Sequence, residues 1–155
     1  MHTEIPDLLD ALGDSRSLLR EAYVDLDEQG FTHRPHPGGP SLQDPLRLAI
    51  ELELGWCALI THGERAQDTQ PSVATASSLT AALQQYALVA AATDALISSL
   101  TVFDRRLSVP PTPWTPPGST WSLRRVIAHL ITQTAFQAGQ AQTLRAGLAA
   151  AASGS

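Results

Sequence analysis

The sequence predicts an all-α protein folded as a single four-helix bundle. Apolar residues recur at steps of three and four in four separate segments, which is the periodicity of amphipathic helices. Stretches rich in proline and glycine separate these segments, and no strand-like alternation or hairpin signal competes with them. With 155 residues, of which 43% are hydrophobic, the chain can bury one sizeable core. We therefore expect one domain over residues 1–150 and a disordered tail over residues 151–155.

The first two predicted helices are each ended by a glycine. Spaced leucines over residues 7–28 mark the first helix, and Gly30 is expected to end it. The second helix is expected to begin where Ser41 and Asp44 resemble a capping box, and to stop at Gly63. The intervening loop, FTHRPHPGGP, contains too many turn-forming residues to continue either helix.

Serine residues mark the predicted starts of the third and fourth helices. The third begins near Ser77 or Ser78, and its apolar residues continue to Leu100. Ser122 is expected to cap the fourth helix, whose buried side is marked by spaced apolar residues as far as Leu148.

Two long linkers determine the predicted topology. The loop from Gly63 to Ala76 could span about 45 Å at roughly 3.3 Å per residue, whereas a helix of about 20 residues is only about 30 Å long. This loop can cross the whole bundle, which allows an up-down-down-up arrangement with one long crossover, as in several bundle families, and we expect this topology. The other linker, Val109 to Thr120, contains PPTPWTPPG and is expected to be stiff and extended. Trp114 within it either plugs one end of the bundle or is exposed for recognition, and plugging is the favoured interpretation.

Charge and composition exclude several classes of protein. The net charge of −5 and the pI near 5.4 are unlike those of a nucleic-acid-binding protein. Cys57 is the only cysteine and cannot form an internal disulfide, which is typical of a reducing compartment. Because no apolar run approaches the roughly 20 residues that span a bilayer, we expect a cytoplasmic protein with no membrane partner.

A polar stripe runs along the last predicted helix. His129, Gln133, Gln137 and Gln140 are spaced four, four and three residues apart, which places them on one side of the helix. We expect this side to be buried. An unmet hydrogen-bonding site on a buried amide costs about 1 to 3 kcal/mol. Gln133 and Gln137 are therefore expected to bond each other, His129, a water molecule or a ligand.

Two segments of the sequence resemble one known superfamily. WSLRRVIAHL, residues 121–130, resembles the start of the last bundle helix of the DinB/YfiT-like metalloenzymes. SLQDPLRLAIELELGW, residues 41–56, is similar to their second helix, especially in the branch of mycothiol-dependent transferases and isomerases. With the further matches around residues 31–35 and 139–145, the resemblance covers about half of the chain. It implies the DinB-like four-helix bundle.

The resemblance also implies a metal site. Superfamily members bind a divalent metal through a histidine on the second helix and two ligands one turn apart on the last helix. The corresponding positions here are Leu48, Gln133 and Gln137. Leucine has no lone pair, and a neutral glutamine carbonyl is a poor ligand for first-row divalent metals. We therefore predict that the metal site has been lost and that the protein holds no cofactor.

The lost metal site can persist as a ligand pocket or as a filled-in relic. As a pocket, it would be formed by Leu48, His129, Gln133, Gln137 and Gln140, and it could hold a small neutral organic molecule. The leading hypothesis is a metal-free DinB-like bundle that binds a small ligand or takes part in a stress response. No catalytic residue is predicted.

Two alternatives remain open. The protein could be a metal-dependent thiol transferase or hydrolase with relocated ligands such as His129, His62 or Glu51. It could also function by self-association, because DinB-like relatives often form dimers and the second or third helix could pair between subunits in a homodimer.

The remaining polar residues have structural interpretations. For His129, a hydrogen bond inside the bundle is favoured over metal ligation. His33 and His36 form a weak HxxH pattern in the first loop and are expected to be solvated. Glu53 is expected to pair with an arginine at the bundle surface. Cys57 is interpreted as a small buried hydrophobic residue.

Overall fold

The computed structural model describes residues 4–63 and 78–154. In chain order, its elements are α1 (Glu4–Glu21), α2 (Glu28–Thr32), α3 (Gln43–His62), α4 (Leu79–Ser99), β1 (Arg106–Ser108), β2 (Thr120–Ser122) and α5 (Leu123–Ser153). The long helices α1, α3, α4 and α5 form a bundle, which confirms the all-α prediction. The predicted crossover, apart from Gly63, lies outside the described residues. Among the helices described, none is both long and apolar enough to cross a bilayer.

The region after α1 differs from its prediction. α1 ends at Glu21, and Asp25 adopts a left-handed φ of 55°, through which a right-handed helix cannot continue. Asp27 then begins α2, because its carboxylate accepts the Gly30 N–H at 2.6 Å. Gly30 therefore lies inside a short helix, and the prediction that it ends the first long helix was wrong. A Cβ at residue 30 would lie 2.7 Å from the Leu26 Cδ1 methyl group, so a larger residue there requires that side chain to move.

The predicted starts of the other three long helices are confirmed. The Asp44 carboxylate accepts the Ser41 backbone N–H at 2.8 Å just before α3 begins. The hydroxyl groups of Ser78 and Ser122 each accept the backbone N–H three residues later, at 3.1 and 3.2 Å. Gly63, with a φ of 61°, ends α3 as expected. α5 continues past residue 150, where the predicted domain ends.

A hairpin takes the place of the extended linker predicted before α5. β1 and β2 pair antiparallel with Leu107 opposite Trp121, and the Leu107 and Val109 side chains are buried. Two backbone hydrogen bonds between Thr112 and Thr115, of 3.0 and 3.1 Å, close its tip. The sequence shows no hairpin signal here, because strands of three residues are too short for alternation to be recognised.

Trp114 lies at the tip of this hairpin. It is one of the two residues between the bonded threonines, and its side chain is 87% exposed. The prediction that Trp114 plugs one end of the bundle was therefore wrong.

α1 and α5 run parallel to each other. The Arg124 guanidinium, in the first turn of α5, donates to the Glu4 carboxylate at the start of α1. Gln142, far along α5, donates through Nε2 to the Leu18 carbonyl in the last turn of α1, at 3.2 Å. Since corresponding ends meet, the two helices point in the same direction.

α3 runs in the opposite direction to α5. Leu46, in the first turn of α3, belongs to the same apolar cluster as Ala141 in the second half of α5. Ile60, near the end of α3, instead packs with Leu123 at the start of α5. The two helices are therefore antiparallel.

α4 runs parallel to α3, which completes the topology. Leu79 at the start of α4 shares the cluster of Leu46, whereas Ile97 near its end packs with Leu12 and Ile127 in the first halves of α1 and α5. The directions of α1, α3, α4 and α5 are thus up, down, down and up, as predicted.

The bundle core is divided by a layer of buried polar side chains. The larger apolar cluster lies toward the N-terminal ends of α3 and α4, and a smaller one lies toward the N-terminal ends of α1 and α5. Between the two clusters, the long helices contribute the buried polar residues Arg16, Glu53, Thr93 and Thr134, and Ser15 beside Arg16 is buried as well. This layer crosses the middle of the bundle.

Candidate functional site

An aromatic cluster joins the hairpin, α3 and α5. The indole rings of Trp56 and Trp121 stack with their centroids 5.5 Å apart and 17° between their planes. The His129 imidazole meets both rings edge-on, at 5.5 Å from Trp56 and 5.1 Å from Trp121. The Arg125 guanidinium carbon lies 4.3 Å from the centroid of the Trp121 ring in a cation–π contact. Because Trp56 belongs to α3 and His129 to α5, the cluster fixes the register of these two helices.

The His129 side chain is held by ring packing. Burial lowers its pKa, and the charge of Arg125 lowers this pKa further. The imidazole is therefore neutral near pH 7, with one donor and one acceptor nitrogen. The predicted internal hydrogen bond is not formed with any residue in the described part of the chain.

The register places Leu48 and the glutamine stripe along the seam between α3 and α5. Leu48 precedes Trp56 by eight residues, and Gln137 follows His129 by eight residues. Because the helices are antiparallel and each residue adds about 1.5 Å, both steps move about 12 Å in the same direction from the aromatic cluster. Leu48 and Gln137 thus lie at the same level of this α3–α5 seam, and Gln133 lies one turn nearer the cluster.

The α3–α5 seam is open to solvent at this level. Leu48 is 41% exposed, Gln133 and Gln137 are partly buried, and Gln140 is exposed. The expectation that the whole stripe is buried was therefore wrong, most clearly at Gln140. Neither the Gln133 nor the Gln137 side chain bonds to another residue within 4–63 and 78–154. Their amide groups are available to water or to a ligand. The fully buried side of α5 carries Leu123, Val126, Ile127, Leu130, Thr134, Ala138 and Ala141.

The residues of the seam do not fit a divalent metal. The three positions that the DinB-like resemblance assigns to ligands hold Leu48, Gln133 and Gln137, which provide no imidazole, thiolate or carboxylate. Across the described residues, no three His, Cys, Asp or Glu side chains form a group that could hold a metal ion.

Other polar residues singled out in the sequence lie apart from the seam or are engaged elsewhere. His62 is exposed, and the Glu51 carboxylate accepts a hydrogen bond of 2.9 Å from an arginine one turn earlier in α3. His33 and His36 are exposed, as predicted. The Cys57 sulfur lies 3.3 Å from a threonine hydroxyl, and burial raises the pKa of its thiol, so the thiol stays protonated.

The centre of the polar layer is an ion pair that spans the core. Nε and Nη2 of Arg16 donate to the two carboxylate oxygens of Glu53, each at 2.8 Å, and Nη1 donates to Asp94 at 2.7 Å. Burial alone would lower the pKa of Arg16, but its hydrogen bonds to both carboxylates raise it above the ordinary value. Arg16 is 3% exposed and Glu53 is fully buried, so Glu53 pairs with an arginine as predicted, but in the core and not at the surface.

Sequence analysis did not identify Arg16, although a signal was present. Arg16 lies four residues after Leu12 and three before Leu19, which are both completely buried. It therefore occupies a core position within the apolar stripe of α1. An arginine at such a position indicates a carboxylate partner across the core.

Arg16 also lines an open groove between α1 and α4. These two neighbouring helices pack against each other less extensively than the other neighbouring pairs do. The resulting space, which we call the α1–α4 groove, has a volume of about 770 Å³. Its lining consists of Leu9, Asp10, Gly13, Asp14, Arg16, Ser17, Arg20, Ala87, Ala90, Ala91 and Asp94.

The fold and a comparison with known families define the class of protein. An up-down-down-up bundle of four long helices is the architecture implied by the DinB-like resemblance. The family model for mycothiol-S-transferase matches residues 7–150, and the chain belongs to this DinB/YfiT-like family. The resemblance seen in two segments is thus confirmed and extends over most of the chain. No curated protein and no solved structure matches it.

Proposed function

We propose that this protein binds a small organic ligand at the α3–α5 seam without a metal ion, in a ligand-binding or stress-associated role. The observation that supports this proposal most strongly is the set of residues at the family's three metal-ligand positions, Leu48, Gln133 and Gln137. These side chains cannot supply the ligands of a divalent metal, but they can contact an organic molecule.

The chemistry of the seam suits a neutral polar ligand that also has an apolar part. Gln133 and Gln137 offer amide donors and acceptors that no described residue occupies. Leu48 offers an exposed apolar surface at the same level, and the neutral His129 adds a donor and an acceptor. Mycothiol, the thiol in the name of the family, is the first ligand to test.

Metal content tests the first half of the proposal. Elemental analysis of protein purified without a histidine tag and dialysed should find far less than one zinc, nickel, iron or manganese ion per chain. A metal that survives dialysis at about one ion per chain would contradict the proposal. It would favour a metal-dependent thiol transferase or hydrolase that uses other ligands.

Calorimetric titration tests the second half. Mycothiol should bind in the presence of EDTA, and Gln137→Leu should weaken binding roughly threefold to tenfold, since one hydrogen bond is worth about 0.5–1.5 kcal/mol. Gln84→Leu is the matched control, because Gln84 is an exposed glutamine on α4, away from the seam. Binding that requires added metal, or that both variants weaken equally, would contradict a metal-free site at the seam.

A further inference from the structure

The α1–α4 groove lies on the side of the bundle opposite the α3–α5 seam. Around the bundle axis the helices follow one another as α1, α5, α3 and α4, so the groove and the seam share no helix. Small residues, including Gly13, Ala90 and Ala91, form much of the groove lining. A Cβ at Gly13 would meet no side chain and no other helix within 4 Å among the described residues. A ligand in the groove can therefore approach the helix backbones closely.

Charges of opposite sign lie toward opposite ends of the groove. Asp10 and Asp14 lie one turn apart on α1, and neither forms an ion pair within the described ranges. Arg20, further along α1, has no carboxylate partner within these ranges either. Like charges one turn apart repel, so the aspartate pair favours a bound cation, whereas a guanidinium favours a carboxylate. The groove is thus polarised along its length.

The Arg20 guanidinium is held in place by an aromatic ring. Its central carbon lies 5.4 Å from the centroid of the Tyr86 ring, and Tyr86 is fully buried. Such a contact attracts the positive charge to the ring but supplies no oxygen acceptor for the five N–H groups of the guanidinium. Arg20 is therefore positioned at the groove with its hydrogen-bond donors available to an anion.

Arg16 provides a further donor between the two ends. Its side chain lines the groove although it is only 3% exposed. Its four hydrogen bonds go to Glu53, to Asp94 and, at 3.4 Å, to the Ala90 carbonyl. A guanidinium has five N–H groups, so one donor of Arg16 has no acceptor in the part of the chain that the structure describes. A carbonyl oxygen of a ligand can accept this N–H.

We propose that the α1–α4 groove binds a short peptide of three or four small residues with free termini, independently of any ligand at the seam. Its ammonium group lies at Asp10 and Asp14, and its carboxylate accepts hydrogen bonds from Arg20. Along α1, Asp14 is six residues from Arg20, or about 9 Å, and Asp10 is ten residues from it, or about 15 Å. An extended peptide of three or four residues spans about 10–14 Å. Its termini therefore reach both ends, and a backbone carbonyl between them lies at the level of Arg16.

Tri-alanine with free termini is the probe for this site. A heteronuclear NMR titration of the full chain should give a dissociation constant of about 1 mM or lower. N-acetyl-tri-alanine lacks the ammonium group, and tri-alanine amide lacks the carboxylate. Each should bind roughly tenfold more weakly, as expected for the loss of a hydrogen bond to a charged group.

Charge variants assign each terminus to one end of the groove. Arg20→Gln should weaken the binding of tri-alanine roughly tenfold, and amidation of the peptide should then cause no further loss. The double variant Asp10→Asn/Asp14→Asn should respond in the same way to acetylation. Arg106→Gln and Asp25→Asn are the matched controls, because both residues are exposed and neither lines the groove. They should bind all three peptides like the wild-type protein.

A pair of glycine variants tests the location. Gly13→Leu places a side chain in the groove and should abolish binding. Gly147→Leu is the matched control, because Gly147 lies within α5 and a Cβ there would also meet nothing within 4 Å. Circular dichroism checks that both variants remain folded.

A seam variant separates this site from the proposed function. Gln137→Leu should leave the binding of tri-alanine unchanged, because Gln137 lies on the opposite side of the bundle. The proposal is overturned if tri-alanine does not bind, if blocking either terminus leaves the affinity unchanged, or if Gly13→Leu binds the peptide like the wild-type protein.

Discussion

At the scale of single residues, the buried ion pair between Arg16 and Glu53 has the largest expected effect on stability. Its attraction competes with the cost of removing two charges from water, so the intact pair can contribute little net stability. Removing only one partner is different, because the other charge is left buried without compensation. Helix propensity and apolar periodicity do not predict this loss of stability, because it depends on the pairing of Arg16 with Glu53, which lies 37 residues away in the sequence.

The substitution Arg16→Met should lower the free energy of unfolding by about 3–5 kcal/mol, because Glu53 would then be buried as an unpaired carboxylate. Urea denaturation measures this change. The double variant Arg16→Met/Glu53→Leu should recover most of the loss, because neither buried charge remains and the apolar side chains fill the space.

Arg47→Met serves as the control for this prediction. Arg47 pairs with Glu51 one turn away on α3, and both side chains are more than one third exposed, at 37% and 39%. Its removal should cost less than about 1 kcal/mol. If Arg16→Met costs no more than Arg47→Met, the central pair is not the buried interaction that the structure describes.

His129 should make stability depend on pH. An unfolded histidine has a pKa of about 6.5, and burial together with Arg125 lowers the pKa in the folded protein. Well above pH 6.5 both states are neutral at this residue. Between the folded and unfolded pKa values, only the unfolded chain takes up the proton, so stability falls as the pH falls.

Replacement by glutamine isolates this contribution. Urea denaturation between pH 7 and pH 5 should show a smaller loss of stability for His129→Gln than for the wild-type protein. His62→Gln, at an exposed histidine of α3, should retain the wild-type dependence. If the free energy of unfolding falls equally between pH 7 and pH 5 for the wild-type protein and for His129→Gln, then the pKa of His129 is not lowered in the folded protein.

At the scale of elements, local sequence signals were sufficient for the helix starts but not for the hairpin. The caps at Ser41, Ser78 and Ser122 involve groups at most three residues apart, so both hydrogen-bonding partners can be recognised in a short stretch of sequence. The strands β1 and β2 are joined by a long loop and pair through backbone groups. Such pairing leaves little trace in the sequence when each strand has only three residues.

The cap of α5 can be tested directly. Ser122→Ala removes the hydroxyl that accepts the Arg125 N–H at 3.2 Å and should cost about 0.5–2 kcal/mol. Ser98→Ala, at an exposed serine inside α4, should change stability by less than about 0.5 kcal/mol. Chemical denaturation compares the two variants, and equal effects would argue against a capping role for Ser122.

At the scale of the whole molecule, the alignment of α3 with α5 decides whether the candidate site exists. Leu48 and Gln137 are far apart in the sequence, and only the antiparallel packing fixed by Trp56 and His129 brings them to one level. The ligand positions were inferred from a family resemblance. That Leu48 and Gln137 share one level is a property of the bundle.

The triple variant Leu48→His, Gln133→His and Gln137→His tests this arrangement. It should place three imidazole groups around one point, so added zinc or nickel should raise its melting temperature. A ligand at 100 times its dissociation constant stabilises the native state by roughly 2.7 kcal/mol, which corresponds to several degrees for a domain of this size. Differential scanning calorimetry measures the shift.

The parent protein and the three single variants are the controls for this experiment. Each should respond much less to metal, because one imidazole does not chelate. A folded triple variant without a metal-dependent shift, or a parent protein that shifts equally, would show that these three positions do not converge.

The sequence by itself determined the helical class, the caps and the family. These features depend on periodicity, on groups a few residues apart and on short sequence motifs, all of which can be read along the chain, whereas the span of the first long linker only allowed the directions that the packed helices take. Only the tertiary structure revealed the Arg16–Glu53 pair, the exposure of Trp114 and Gln140, and the α1–α4 groove. Each of these depends on which surfaces meet and which stay uncovered when the four helices pack, and packing joins residues that are distant in sequence.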